Sequence, residues 1–191
     1  MRNSSIITRF TRFAGVLVLG ALGFISAASA APIVFGASLT PSQEVPAVTS
    51  GGSGAATVTL DGNSLSVSLS FTGLTSNTLF AHIHCCVASG ANAPVAIDFG
   101  TAFPIGVTSG TFFATFDLAS ATTYSSGFRT ANPNFQTTFT NGLTSGLAYI
   151  NVHTANNRGG EIRGQIPLPT TLALFLPCLL GLGLMRSKIV R

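Results

Sequence analysis

The chain has 191 residues with nine Lys or Arg, five Asp or Glu, no Trp, and 7% charged against 46% hydrophobic residues. Its formal charge of +4 belongs to the two ends, because residues 31–166 set only Arg129, Arg158 and Arg163 against Glu44, Asp61, Asp98, Asp117 and Glu161, a net −2. A nucleic-acid partner needs a basic face, and that central segment has none, so nucleic acid is excluded as its ligand.

In chain order, Arg2, Arg9 and Arg12 precede the apolar run from Phe13 to Ile25, which ends at Ala28-Ser29-Ala30. A basic start, a short apolar stretch and an A-x-A site predict a secretory signal peptide over 1–30, cut around Ala28, Ala30 and Ala31. Export follows from it. Residues 31–166 then have the length of one domain. Such a domain buries roughly two thirds of its unfolded surface, so neither metal nor disulfide is required for folding.

The central segment is rich in Thr, Ser, Gly, Val and Phe, a composition that suits strands and turns. Leu65, Val67, Leu69 and Phe71 alternate with Ser64, Ser66, Ser68 and Ser70, the period-two pattern of a half-buried antiparallel strand. Ala55–Leu60 alternates likewise, and Asp61-Gly62-Asn63 between the two predicts a hairpin turn, since Gly and Asn tolerate positive φ. Further strands are predicted over Val34–Leu39, Thr78–Cys85, Pro94–Phe99, Thr111–Leu118, Leu147–His153 and Glu161–Ile166, with a short helix near Phe135–Asn141. Many short strands with regular turn signals predict an all-β fold, an antiparallel β-sandwich or barrel-like single domain. Beyond it, Pro167-Leu168-Pro169 leads into the apolar stretch Thr171–Met185, closed by Arg186, Lys188 and Arg191. That segment, 167–191, predicts an apolar helix marginal for crossing a bilayer, which needs about 20 residues.

The imidazole inventory is His82, His84 and His153. On a strand, His82 and His84 share one face, and His153 shares a face with Asn151. Soft or borderline ligands clustered in this way suit Cu or Zn, which makes His82, His84 and His153 candidate metal ligands. The structural alternative is a strand's wet face, with a strand-end His bonded to a loop carbonyl. Cys85 and Cys86 are adjacent, and an oxidising export route favours pairing. A vicinal disulfide stands foremost, with an intermolecular bridge, metal ligation or two buried thiols open beside it. Hydrolysis finds little support: no Gly-x-Ser-x-Gly elbow is present, and no two of the five acids stand out as a glycosidase pair. No catalytic residue is singled out.

Three resemblances add to these readings. Pro167-Leu168-Pro169-Thr170, with its apolar run and basic end, resembles the PEP-CTERM sorting signals, in particular the variant that begins Val-Pro-Leu-Pro-Ala; Ile166 and Thr170 depart from it. The resemblance implies processing by an exosortase-type membrane protease in a Gram-negative bacterium, the alternative being a plain membrane anchor. The His-x-His strand with a distant third His is similar to the copper ligands of Cu/Zn superoxide dismutases, although no histidine remains to bridge two metals.

The widest resemblance rests on Ala37 to Pro46 (ASLTPSQEVP), on Ala81-His82-Ile83-His84-Cys85, on Ala148 to Thr154 (AYINVHT) and on Gly159 to Ile166 (GGEIRGQI). These resemble a CHRD domain over nearly all of residues 36–166. The resemblance implies a β-sandwich-like module of exported proteins. Glu161 and Arg163 are expected to share a strand face, the structural reading being an ion pair within a cross-strand polar ladder and the functional one that either is part of a site beside His84 and His153. The expected role is a non-enzymatic binding or structural module of the cell envelope or extracellular polymer. The alternative is a Cu or Zn domain with superoxide dismutase-like redox activity. Expected partners are envelope proteins or extracellular polymer, the sorting protease, and a membrane through the C-terminal segment.

Overall fold

A computed structural model describes residues 30–169. Residues 1–29 of the expected signal segment, Ala28 among them, and residues 170–191 of the expected C-terminal segment lie outside the described residues. Among those described, no helix is long and apolar enough to cross a membrane.

Eight strands form: β1 (Ile33–Leu39), β2 (Ser53–Asp61), β3 (Ser64–Thr72), β4 (Thr78–Cys85), β5 (Val95–Asp98), β6 (Gly110–Asp117), β7 (Ala148–Thr154) and β8 (Ile162–Ile166). They make two antiparallel four-stranded sheets, ordered β1-β2-β3-β6 and β5-β4-β7-β8. The sheets face each other across one apolar core, so the sandwich expectation holds and the barrel alternative does not. The reason lies in the alternation: Leu65, Val67, Leu69 and Phe71 point inward and are buried, while Ser68 and Ser70 face solvent. From the other sheet, Ala81, Ile83, Ile97, Ile150, Val152 and Ile162 complete the core.

The β2–β3 hairpin closes through Gly62-Asn63, with Asp61 opposite Ser64. Only Gly62 takes a left-handed φ, +56°, as a turn with Gly at its first central position requires. Asn63 does not share it; its Oδ1 instead accepts a hydrogen bond from Gln136 Nε2 at 2.8 Å.

Between β6 and β7 lie two helices rather than one, α1 (Ser126–Ala131) and α2 (Phe135–Thr144). Ser125 caps α1 by accepting from Phe128 N at 3.1 Å. Helix α2 packs Gly142 against a disulfide joining Cys85 and Cys86.

One seam positions the functional face. Thr40, just after β1, exchanges backbone hydrogen bonds with Arg163 of β8 at 2.9 and 3.1 Å. The chain from Pro41 to Val48 therefore folds over the outer side of the second sheet rather than away from it. β7 is buried along its whole length, a pattern of coverage on both faces.

Candidate metal centre

β4 and β7 are central neighbours, with His82 opposite Asn151 and His84 opposite Tyr149. Period two puts His82, His84, Tyr149, Asn151 and His153 on the outer face, and β8 adds Arg163 opposite Asn151. This is no wet face: His84, Asn151, His153 and Arg163 are all buried. Loop residues from Pro41–Val48, 86–94 and 155–160 supply polar partners to it.

The three histidines converge. One ring nitrogen from each lies within 4.8 Å of the others, and His82 Nδ1–H donates a hydrogen bond to His153 Nε2 at 3.3 Å. Two of the outward nitrogens are anchored. His84 Nδ1–H donates to Ala93 O at 2.9 Å, and His153 Nδ1–H donates to Arg158 O at 2.8 Å. A carbonyl only accepts, so both rings carry the proton on Nδ1 and present a bare Nε2 to the cluster. The outer nitrogen of His82, Nε2, faces Asp98 Oδ1 at 3.9 Å. A cation between the rings would require the other His82 tautomer, its proton moved from Nδ1 to Nε2, toward that carboxylate. Imidazoles whose second nitrogen is held by carbonyls or a carboxylate are the usual outer support of metal-binding histidines. The loop-carbonyl bonds of the structural alternative and the convergence of a ligand set are thus present together.

Burial lowers all three histidine pKa values. Desolvation pushes His84 down to about 4 against its bond to Ala93, with the neighbouring His153 and Arg163 adding to the fall. It pushes His153 to about 4 against the bond to Arg158. His82 is lowered by burial more than Asp98 raises it. The cluster is neutral at neutral pH, the state a metal ligand requires.

A stack braces His84. Its ring lies parallel to Tyr149, 2° between planes and 4.7 Å between centroids, and the Arg163 guanidinium covers the other side of Tyr149 at 3.4 Å. The Ala93 peptide clasps both rings, since its N–H donates to Tyr149 Oη at 3.1 Å. Arg163 holds the same loop through Ala91 O at 2.8 Å and Asn92 Oδ1 at 3.1 Å. Phe80, half exposed, stacks on His82 and contacts the ring of His153.

Behind the histidines sits Glu44, buried on the arm that follows the β1–β8 seam. Asn151 Nδ2 donates to both its oxygens, at 3.0 and 2.9 Å. Burial pushes the Glu44 pKa up to about 7, a rise that the Arg163 charge and the Asn151 bond restrain. Gly160 lies against this pair at φ +130°, and a Cβ there would collide with Asn151 and Glu44.

The expected Glu161–Arg163 ion pair does not form. Glu161 precedes β8 and accepts from Ser50 Oγ, Thr75 N and Thr154 Oγ1, each at 2.6 Å. Burial opposes its ionisation, but these hydrogen bonds outweigh it and hold the pKa low. Pro167, Leu168 and Pro169 follow β8 without regular secondary structure, Leu168 exposed; Ala30 and Ala31 are exposed at the other end. Sequence reasoning overlooked Glu44 and Tyr149 as site residues. The alternation of Tyr149, Asn151 and His153 was the available signal for Tyr149, whereas Glu44 had none beyond its motif.

Compared with known proteins, residues 35–166 match the family model described as CHRD domain. No curated protein and no solved structure matches the chain.

Proposed function

The chain belongs to the CHRD domain family, and within it we propose a module that binds one transition-metal ion, zinc or copper, through His82 Nδ1, His84 Nε2 and His153 Nε2. Family membership supports a non-enzymatic binding or structural module; the metal is the finer reading. One observation carries it: three neutral imidazoles converge within 4.8 Å while their other nitrogens are turned outward. Three nitrogen ligands suit Zn or Cu and leave a fourth position open. The residues of this chain supply orientation: Ala93 and Arg158 fix two tautomers, Asp98 favours the third, and Tyr149 and Arg163 hold His84 in plane.

The superoxide dismutase-like alternative fares less well. Asp98, 60% exposed beside His82, sets negative charge where a small anion would approach. As proposals, export and attachment to the envelope or extracellular polymer rest on the signal-like start and the PEP-CTERM-like end, with an exosortase-type protease and the membrane as partners.

Calorimetric titration of chelator-stripped protein with zinc tests the assignment. The expected result is one site per chain, lost in His153→Ala. No binding, or equal binding in that variant, would sink it.

A further inference from the structure

The outer face of the second sheet holds more lone pairs than protons. Two buried side-chain atoms lack any partner among the described residues, His84 Nε2 and Asn151 Oδ1. Both are acceptors. Ala93 O takes the His84 Nδ1 proton, which leaves Nε2 bare. Asn151 is held the same way: an ionised carboxylate only accepts, so Glu44 binds the amide by its nitrogen and leaves Oδ1 bare. Asn151 is 3% exposed, so water outside cannot relieve that oxygen.

Placement follows from the strands. Asn151 has Arg163 on one side and His82 on the other, and His153 two residues on shares its face. The amide whose nitrogen is committed to Glu44 therefore stands beside the histidine cluster. Gly160 leaves room for this pair, since any Cβ would strike both partners.

A metal ion held by the three imidazoles would satisfy His84 Nε2 but would leave Asn151 Oδ1 without a proton. The ligand in the fourth position can supply one. We propose that Asn151 Oδ1 accepts a hydrogen bond from a water or hydroxide in that position, and that Glu44 is the positioning residue that keeps the amide oxygen turned to it. The inference rests on the metal reading and adds a specificity. An acceptor at the fourth position favours ligands that carry a proton over those that carry none, such as azide, because an unrelieved buried acceptor is costly.

The test loads the full protein with cobalt(II), whose visible spectrum reports the fourth ligand, and titrates azide into wild type, Asn151→Leu and Glu44→Gln at about pH 8, where Glu44 is ionised. All three are expected to hold one cobalt. Azide should bind about tenfold more tightly to Asn151→Leu, which no longer favours a protic ligand. It should also tighten in Glu44→Gln, because Gln can donate to Oδ1 and let the amide present Nδ2–H instead. Equal azide affinity in three cobalt-loaded proteins overturns the role of Asn151 and leaves the metal centre standing. Loss of cobalt from a folded Asn151→Leu overturns the water bridge by making Oδ1 a direct ligand. Failure of wild type to take cobalt overturns the metal reading itself.

Discussion

His82 Nδ1 and His153 Nε2 stand 3.3 Å apart on adjacent antiparallel strands. Two nitrogens bound to one tetrahedral zinc at about 2.0–2.1 Å are separated by about 3.3–3.4 Å, so this pair already has the spacing of a chelate. His84 is the third of the set, with one ring nitrogen within 4.8 Å of the other two. Under the proposed metal reading, an ion held by this preorganised set would bind the folded state alone. At a free concentration a hundred times Kd it would add about 2.7 kcal/mol, or roughly 10 °C in Tm for a domain of this size. Differential scanning calorimetry with and without zinc is expected to show that rise, and His84→Ala is expected to abolish it.

Acid should destabilise the metal-free protein. His84 and His153 fall from 6.5 when unfolded to about 4 when folded, and His82 is lowered as well. The unfolded chain therefore binds more protons in that window, and stability drops as pH falls from about 6.5 toward about 4. Glu44 has the opposite sign. Its folded pKa is raised from 4.5 to about 7, so its contribution is full below about 4.5 and is lost as pH rises toward 7. Three histidines outweigh one carboxyl, and urea unfolding at several pH values should show stability increasing from pH 4.5 to 6.5. Glu44→Gln removes the opposing group and should steepen that slope. A flat profile would contradict the shifts.

Arg163 joins the stack to the loop. It is 2% exposed, caps Tyr149, and donates to Ala91 O and Asn92 Oδ1. Arg163→Ala should cost about 3 kcal/mol or more, because it loses charge-assisted bonds, packing and the cation whose charge acts on Glu44. Arg163→Lys keeps the charge but neither fork nor plane, and should recover less than half of the loss. Denaturant midpoints measure both. A Lys variant as stable as wild type would show that charge alone matters.

Gly142 packs against the Cys85–Cys86 disulfide. A Cβ at Gly142 would run into both sulfurs. Overpacking costs typically about 1–3 kcal/mol, which exceeds the helix gain of about 1 kcal/mol for Ala over Gly. Gly142→Ala should therefore destabilise the protein. In a Cys85→Ala, Cys86→Ala background the same change should become neutral or stabilising. A double-mutant cycle is expected to give a coupling above about 1 kcal/mol, and additive effects would dismiss the contact.

Most of the fold was legible because most strands are half buried. Leu65 to Phe71 declares itself by alternation, and β2 does so on the other side of the hairpin. β7 misleads for the same reason: Asn151 and His153 alternate with Ile150 and Val152, which reads as a wet face, yet loops close over them. That cover depends on the seam between Thr40 and Arg163, a pairing between distant parts of the chain that periodicity does not record. Helix α1 was missed because six residues carry too little pattern, although Ser125 is a capping residue. The histidines could be named as a set from strand parity. Glu44 could not be placed beside them, because 107 residues separate it from Asn151.

The most direct measurement is the metal content of the purified protein by elemental mass spectrometry, beside His84→Ala. The account predicts close to one zinc or copper per chain in the wild type after reconstitution, and a loss to near zero in the variant. No metal in the wild type, or the same content in both proteins, would contradict it and leave the three histidines as scaffold.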